Sequence, residues 1–483
     1  MEYEAVIGLE VHVELNTKSK AFCGCTTRFD APPNTNVCPV CLGMPGVLPV
    51  MNRAVVEATV AVGLALNCTV SKWSKMDRKN YFYPDLAKDY QISQYDLPLC
   101  HGGWLEIEAG GVAKCIGITR THIEEDTARN VHTIGAGESG VDFNRSGVPL
   151  LEIVSEPHIR GAQEAFDYLT MLKRILEYLD VSDCNMEEGS LRAEANISVR
   201  PKGSTTFGTK TEVKNVASFS GTQKAIEFEV ARQIQVLEAG GKIVQETRGW
   251  DADRGITAPQ RSKESAHDYR YFPEPDLVPI AVSDEWVERI RASIPELPKA
   301  RFDRFRGQYG LSAYDAGVLT SSRAMAGYFE KVVSAGAPTK QAANWIMGDL
   351  QALLTEAKCA SVESCKITPA DLASMIALIE NATISGKIAK DLLVDMFKSG
   401  KPPKTLVEEK GWVQISDRGA LETLAREVIA ANPEPVAAYK AGKKQTFGFL
   451  VGQMMKATKG KGNPKLINEI LADELARGDV KGS

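Results

Sequence analysis

The sequence predicts an α+β fold, in which a mostly antiparallel sheet precedes helical domains. Two observations predict it. Apolar and polar residues alternate in segments spread over about the first 280 residues, and helical periods dominate after about residue 300. With 483 residues the chain is too long for one ordinary core, and this length suggests about two to four domains.

The strand-like segments surround two helical ones. The helix predicted over 161–181 has Leu169, Leu172 and Leu176 on one face, and the helix predicted over 221–241 stops at a glycine pair. Period-two alternation and β-branched residues predict strands over 6–15, 115–126, 150–154, 191–200 and 209–216.

Changes of pattern divide the chain into three predicted domains. Helical periods begin after the segment 296–302, and a Gly/Pro/Lys linker follows at 398–405. We therefore expect a first domain over 1–292, an all-helical domain over 293–403 and a small helical tail domain over 404–483.

Composition restricts the class of protein. Hydrophobic residues make up 43% and charged residues 25% of the chain, which indicates a globular protein. The apolar run 55–70 carries Glu57 and is shorter than the roughly 20 residues of a membrane span, so we interpret it as a buried helix. The N-terminus is acidic and lacks a basic stretch followed by an apolar one, so we expect no secretory signal and a cytoplasmic protein without a membrane segment.

Acidic residues share one face of the first predicted strand. The odd positions of residues 5–15 are apolar, whereas Glu10, His12 and Glu14 lie on the opposite face. The same alternation recurs over 191–200 and in the segment containing Glu212 and Lys214. Such alternation is also typical of the outer face of a half-solvated sheet, and for one strand alone this interpretation is the more common one.

The density of carboxylates favours a metal site over a solvated face. Segments 122–126, 150–153 and 186–194 add further acids on or beside strands, with very few lysines among them. Carboxylates gathered without matching cations repel one another unless a divalent ion neutralises them, and Mg²⁺ prefers oxygen ligands and substrate phosphates. A Mg-nucleotide site is therefore a candidate. The sequence has neither a P-loop motif nor a serine signature of an amide-cleaving enzyme.

Four cysteines form two close pairs. Cys23 and Cys25 are separated by one residue, and after twelve further residues Cys38 and Cys41 form the second pair. This spacing lets four thiolates close tetrahedrally on zinc, which leaves no open position for water. The loop 23–41 is therefore predicted to hold a structural zinc.

A basic segment near the C-terminus is a candidate RNA contact, although a solvated charged face is the default interpretation of such a run. Residues 443–465 contain six lysines and no acid, and interleaved glycines would let the backbone approach phosphates closely. The net charge of −5 means that any nucleic-acid contact must come from a local patch. The lysines that we expect to contact RNA are Lys443, Lys444, Lys456, Lys459 and Lys461.

These residues resemble a known family, the B subunit of the bacterial aspartyl/glutamyl-tRNA(Asn/Gln) amidotransferase, which works in the GatCAB complex. The resemblance extends through nearly the whole chain. It rests on ten blocks in one order, including "IGLEVHVEL" (7–15), "ITRTHIEED" (118–126), "MEEGSLRAEANIS" (186–198) and "GFLVGQMMK" (448–456).

The resemblance implies an activity, cofactors and partners. The family uses ATP and Mg²⁺ to phosphorylate the side-chain carboxylate of Glu on tRNA(Gln) or Asp on tRNA(Asn). Ammonia, which a partner amidase (glutaminase) subunit releases from glutamine, then displaces phosphate, and a third, small subunit completes the heterotrimer. The first domain of the family is a cradle-like α+β fold, and the helical and tail domains hold the tRNA.

By motif match, the resemblance also implies site residues. Glu10, His12 and Glu125 are expected at the magnesium and phosphate centre. Nearby catalytic residues are expected to be Glu124, Glu152, Glu188, Arg192 and Lys214, and the residues expected to line the ammonia path are Lys79, Tyr81, Lys88 and Asp89.

Two alternatives stay open at this point. The corresponding subunit of the archaeal-type tRNA-dependent amidotransferase usually carries an extra inserted domain, for which 483 residues leave no room. A non-catalytic, zinc-containing tRNA-binding scaffold would use the acids merely to solvate a sheet.

Overall fold

The predicted antiparallel sheet is present in the computed structural model, which describes residues 2–135, 138–262, 269–359, 361–412, 417–458 and 462–477. The chain forms two compact units, Met1–Pro298 and Lys299–Ser483. The first is built on sheets and the second on helices. The α+β class predicted from the sequence is therefore confirmed.

The strands of the first unit include all five that the sequence predicts. They are β1 (Tyr3–Glu14), β2 (Thr69–Val70), β3 (Trp73–Ser74), β4 (Asp77–Asn80), β5 (Tyr90–Ser93), β6 (Cys100–Ala109), β7 (Val112–Glu125), β8 (Arg129–Gly135), β9 (Glu138–Asp142), β10 (Pro149–Ser155), β11 (Leu191–Pro201), β12 (Thr211–Lys214), β13 (Glu246–Asp251), β14 (Ile256–Ser262), β15 (Phe272–Pro273) and β16 (Ile280–Ala281).

Within the residues that the structure describes, nine strands form one large sheet in the order β14-β13-β12-β11-β1-β10-β7-β6-β2. Neighbouring strands pair antiparallel throughout, except that β12 and β13 run parallel. Smaller sheets are β15-β4-β5, β16-β3 and β8-β9. Strand β1, which carries Glu10 and His12, therefore lies in the interior of the large sheet.

Helices cover one face of this sheet. They are α1 (Arg53–Ala65), α2 (Ala162–Tyr178) and α3 (Phe219–Glu238), while α4 (Asp284–Ser293) packs against α1 and a 3-10 turn lies at Phe143–Arg145. Ile7, Leu9, Val11 and Val13 of β1 are completely buried in the same core as residues of α1, α2 and α3. Full burial of each such side chain stabilises the fold by about 1.5–3 kcal/mol. The polar residues of β1 consequently face away from the helices.

The second unit is helical. Its helices are α5 (Pro298–Tyr309), α6 (Ala313–Leu319), α7 (Arg323–Ser334), α8 (Thr339–Trp345), α9 (Gln351–Glu356), α10 (Pro369–Glu380), α11 (Gly386–Ser399), α12 (Pro403–Lys410), α13 (Arg418–Ala431), α14 (Pro433–Lys440), α15 (Gln445–Ala457) and α16 (Pro464–Arg477), with a 3-10 turn at Val362–Ser364. A π-helical turn, Ile346–Leu350, joins α8 to α9.

In its described ranges, the second unit contains two separate groups of buried apolar residues. One group includes residues from Phe305 to Val407, and the other includes residues from Leu421 to Leu475. The predicted boundary at 403/404 falls within α12, whose Leu406 and Val407 pack in the first of these groups. The described helices include none that is long and apolar enough to cross a membrane.

Candidate functional site

Acidic side chains from five strands meet on the face of the large sheet that the helices leave open. His12 of β1 lies opposite Glu152 of β10 and Arg192 of β11, and Glu10 lies opposite Glu194. Further along the sheet, Glu152 pairs with His122 of β7. Directly opposite residues in an antiparallel pair have side chains on the same face, so the strand register itself brings these groups together.

His12, Glu124 and Glu152 form the first cluster, here called the His12 group. One ligand atom from each residue lies within 4.8 Å of the others. The imidazole Nε2 of His122 lies 3.2 Å from Glu152 Oε2 and 3.5 Å from Glu124 Oε1, and His12 Nε2 lies 3.6 Å from Glu152 Oε2. Two carboxylates and an imidazole at these separations can hold a divalent cation.

Glu124 is fixed by neighbours from the small sheet. Ser93 Oγ donates a hydrogen bond to its Oε1 at 2.6 Å, and Gln91 Nε2 donates to its Oε2 at 3.1 Å. The Lys79 ammonium lies 3.7 Å from Oε1. A carboxylate with this many donors keeps its orientation before a cation binds.

Opposite charges within the His12 group, and on the neighbouring His122 and Lys79, stabilise one another. Burial opposes a charged imidazole, yet the charge of Glu152 and the hydrogen bond to Glu124 raise the pKa of His122 to about 9. Burial likewise opposes a charged Glu124, but Lys79 and His122 lower its pKa to about 2. The pKa of His12 is raised against the effect of burial, chiefly by Glu152. A cation ligated by His12 must therefore displace its proton.

Glu10, Glu194 and Glu212 form a second cluster, the Glu10 group, with ligand atoms within 4.8 Å of one another. Lys214 Nζ lies 2.7 Å from Glu194 Oε2 and 3.3 Å from Glu212 Oε1. Asn196 Nδ2 donates to Glu10 Oε1 at 2.8 Å. Burial, together with the charges of neighbouring glutamates, raises the pKa of Glu10. This carboxylate therefore lacks a full counter-charge, which a bound cation would supply.

A cavity of about 290 Å³ adjoins the Glu10 group on the same face. Its floor includes Gly8 and Glu10 of β1 together with Asn196 and Ser198 of β11, and Phe207 lines it as well. The cavity therefore lies directly beside one member of the Glu10 group.

Glu125 lies in a different neighbourhood. Its Oε1 accepts hydrogen bonds from Lys88 Nζ at 2.5 Å and from the backbone N–H of Ile92 at 2.8 Å. It lines a cavity of about 210 Å³ together with Lys88, Cys23 and Cys41. Among the residues that the structure describes, Glu125 belongs to neither the His12 group nor the Glu10 group.

Of the other residues expected at the site, Arg192 lies opposite His12 and Lys214 contacts the Glu10 group. Arg192 Nη2 lies 2.8 Å from Asp126 Oδ2, and Lys214 bridges the acids of the Glu10 group. Glu188 is exposed in the turn before β11, where its backbone N–H donates to Asn185 Oδ1 at 3.3 Å.

Of the four residues predicted for the ammonia path, Lys79 and Lys88 contact acids of the site. Lys79 lies beside Glu124 with its ammonium 5.2 Å from the centre of the Tyr269 ring, which also packs edge-on against Tyr81. Lys88 pairs with Glu125, and Asp89 follows it with a positive φ of 58°.

Two parts of the site were not expected from the sequence. His122, two residues before Glu124, bridges two carboxylates, and period-two alternation within the "HIEED" segment could have indicated it. Arg145 joins Glu14 at 2.6 Å and Asp126 at 2.7 Å from the turn after β9, and no sequence signal indicates this contact.

The four cysteines of the loop 23–41 converge. Their Sγ atoms lie within 4.8 Å of one another, and Cys38 Sγ and Cys41 Sγ are 3.9 Å apart. A hydrogen bond from Cys23 is the largest influence lowering the pKa of the Cys41 thiol to about 4, and burial opposes it. Four sulfurs at this spacing fit a tetrahedral zinc with Zn–S distances of about 2.3 Å. We refer to these residues as the cysteine cluster.

The basic segment near the C-terminus is described in part. Lys443 and Lys444 are exposed immediately before α15, and Lys456 is exposed in its last turn. Lys459 and Lys461 lie outside the described residues.

Comparisons with known proteins cover nearly the whole chain. Residues 5–288 match the family model described as "GatB/GatE catalytic domain", and residues 327–475 match the one described as "GatB domain". A protein of Thermoanaerobacter sp. (strain X514), named as the B subunit of aspartyl/glutamyl-tRNA(Asn/Gln) amidotransferase, is 58% identical over 477 residues, which cover 99% of this chain and 100% of its own.

Two further relatives carry the same name. The protein of Moorella thermoacetica is 58% identical over 477 residues, and that of Geobacter sulfurreducens is 56% identical over 479 residues. In both, the match covers 98% of this chain and 100% of the relative.

Proposed function

Since the chain belongs to the GatB/GatE family, we propose that it is the B subunit of a tRNA-dependent, glutamine-hydrolysing amidotransferase, a ligase that forms a carbon–nitrogen bond. Its substrates would be Glu on tRNA(Gln) or Asp on tRNA(Asn), ATP and ammonia. The products would be the corresponding Gln- or Asn-tRNA, ADP and phosphate.

The observation that carries the proposal is the pairing of the His12 group with the Glu10 group on neighbouring positions of one sheet. Each group offers oxygen ligands that suit Mg²⁺, and cations bound there would neutralise the phosphate oxygens of ATP. The cavity beside the Glu10 group could take the base and ribose, which would leave the phosphates over the acids.

The reaction proceeds in two steps. An oxygen of the substrate side-chain carboxylate attacks the γ-phosphorus of ATP, and ADP leaves. Ammonia then attacks the carbonyl carbon of the acyl phosphate, phosphate leaves and the amide remains after loss of a proton. A carboxylate alone is a poor electrophile because oxide cannot leave, so the phosphorylation makes the second step possible.

This chain would contribute mainly positioning and charge to the first step. His12, Glu124 and Glu152 would hold one cation and Glu10 would take part in holding another. Lys214 and Arg192 are the cations of the chain that would lie near the phosphate charge.

Ammonia would reach the acyl phosphate along Lys79, Tyr81, Lys88 and Asp89. Two of these residues contact the neighbouring acids Glu124 and Glu125, so a polar route would end beside the His12 group. A route shielded from bulk water suits NH₃, which is otherwise trapped as ammonium.

Further parts of the chain would support this activity. The cysteine cluster would hold a structural zinc, and Lys443, Lys444, Lys456, Lys459 and Lys461 would contact the tRNA backbone. The partners, in the cytoplasm, would be an amidase subunit that releases ammonia from glutamine and a small third subunit.

The test compares catalysis with the scaffold alternative. The chain is combined with its partner subunits, misacylated tRNA, ATP and glutamine, and ADP release and amide formation are measured for wild type, Glu10→Gln and Glu152→Gln. Glu108→Gln, which changes an exposed acid on β6, is the matched control. Loss of both products in the first two variants alone supports catalysis, whereas full amide formation by either supports a tRNA-binding scaffold.

A further inference from the structure

Lys20 is a lysine with no exposure to solvent, next to the cysteine cluster. Its ammonium donates a hydrogen bond to the backbone carbonyl of Asn36 at 2.8 Å and lies 3.6 Å from Cys41 Sγ. Lysine is almost never fully buried unless its charge is paired. The position of Lys20 therefore requires a negatively charged neighbour.

The cysteine cluster supplies that negative charge. Within the described part of the chain, Lys20 forms an ion pair with no carboxylate, and Cys41 Sγ is the group beside its ammonium that can become anionic. Four thiolates around one zinc ion carry a net charge of −2. An ammonium at 3.6 Å from one of the sulfurs offsets part of this charge in a buried setting.

Lys20 also joins the two halves of the loop. Its backbone N–H donates to the carbonyl of Cys25 at 2.9 Å, which ties it to the first cysteine pair. Its side chain contacts Asn36, which precedes the second cysteine pair, and Cys41, which belongs to that pair. Asn36 is itself anchored, because its N–H donates to Asn144 Oδ1 at 2.8 Å. One residue therefore contacts both pairs and, through Asn36, the body of the first unit.

We propose that Lys20 is a positioning residue of the zinc site: its backbone holds the Cys23–Cys25 half, its ammonium holds the Cys38–Cys41 half, and together they retain the metal. The inference rests on the zinc assignment made above and does not depend on the amidotransferase chemistry. The carbon chain of Lys20 also lies beside Gly147, which lines the same cavity as Glu125. A β-carbon at Gly147 would lie 3.6 Å from Lys20 Cδ and 3.7 Å from Glu125 Oε2.

The experiment measures zinc retention in the full-length chain. Zinc content is determined by elemental analysis, and release to a chromophoric chelator is followed for wild type, Lys20→Met, Lys20→Gln and Lys20→Arg. Lys18→Met is the matched control, because Lys18 lies in the same segment and is exposed. Loss of an outer contact to a metal ligand typically weakens metal binding about 10–100-fold, so Lys20→Met should release zinc at least about tenfold faster.

The other variants separate charge from shape. Lys20→Gln keeps an N–H donor on a side chain one atom shorter but has no charge, whereas Lys20→Arg keeps the charge. We expect Gln to release zinc faster than Arg, and Lys18→Met to match wild type. In the Co²⁺-substituted protein, the thiolate-to-metal absorption band should shift for Lys20→Gln and be restored in Lys20→Arg.

The outcomes that overturn the proposal are distinct from one another. Equal rates of zinc release from wild type, Lys20→Gln and Lys20→Arg would show that the charge of Lys20 does not help to retain zinc. This comparison remains valid even if Lys20→Met does not fold. An equal effect of Lys18→Met would show a general effect of lysine removal. Wild type that takes up no zinc would overturn the zinc assignment itself, while leaving the catalytic proposal to its own test.

Discussion

The most direct test of the electrostatics of the His12 group is the titration of His122. Its side chain is 2% exposed and lies 3.2 Å from Glu152 and 3.5 Å from Glu124. Burial lowers the pKa, but the two carboxylates outweigh it and raise the pKa from 6.5 to about 9. At about 1.4 kcal/mol per pKa unit, this rise corresponds to about 3 kcal/mol of interaction.

The perturbation is Glu152→Gln in protein freed of divalent cations by a chelator. Glutamine keeps the shape of the side chain but removes the charge, which is the largest influence raising the pKa of His122, and leaves Glu124 in place. We expect the pKa of His122 to fall by at least about one unit, or about 1.4 kcal/mol. Glu108→Gln, which changes an exposed acid on β6, should leave it unchanged.

The assay is nuclear magnetic resonance of the protein labelled with ¹³C in its six histidines, with His122→Asn to assign the signal. The same shift contributes to stability. Because the pKa of His122 is raised on folding, its contribution is complete below about pH 6.5 and is lost as the pH rises through about 9. Magnesium bound to the His12 group should lower the pKa through like-charge repulsion. A wild-type pKa near 6.5, or one unchanged by Glu152→Gln, would refute the reasoning.

Three further predictions concern stability, zinc and ammonia. Glu229 in α3 is completely buried and accepts hydrogen bonds from Arg232 at 2.6 and 2.9 Å. Its pKa is lowered, so its contribution to the stability of the fold is present at neutral pH and is lost as the pH falls below about 4. In urea denaturation, Glu229→Gln should lower the unfolding free energy by about 2 kcal/mol, whereas Glu238→Gln, which changes an exposed residue, should not. Equal urea midpoints for Glu229→Gln and wild type would contradict this. By elemental analysis, wild type should contain about one zinc per chain, and Cys38→Ser should lose its zinc to a chelator. The amidation assay should show that Cys38→Ser still forms amide. Retention of zinc by Cys38→Ser would count against the cysteine cluster as the zinc site. Lys88→Met should reduce glutamine-driven amide formation more than ammonium-driven formation in the same assay, and an equal loss with both donors would argue against a path along Lys88.

The faces of individual strands could be predicted from the sequence, whereas the contacts between strands could not. Alternation within residues 5–15 correctly places the apolar side chains in the core and Glu10 and His12 on the other face. Glu152 lies opposite His12 because of the register in which β1 pairs with β10, and these two strands are far apart along the chain. Register follows from tertiary packing, which no local pattern contains.

The pair Glu124 and Glu125 shows the limit most clearly. The resemblance implies Glu125 at the magnesium centre with Glu124 nearby, and the structure brings Glu124 to His12 and directs Glu125 to Lys88. Successive strand residues point to opposite faces, so the two carboxylates must separate. Which of them joins β1 depends on the pairing of β7 with β10, and composition carries no information about it. The cysteine cluster was easier, because its ligand spacing is local.

Each acidic group has one member on β1, so the extended backbone of this strand sets the spacing between the two groups. Two residues of an antiparallel strand advance about 6.8 Å, and that pitch, rather than a loop, fixes how far Glu10 stands from His12. Hydrogen bonding to β10 and β11 along both edges resists any stretch or slip. Deleting a single residue within β1 would shift the alternation by one position, which would turn leucine and valine toward the open face of the sheet and carboxylates into the apolar core.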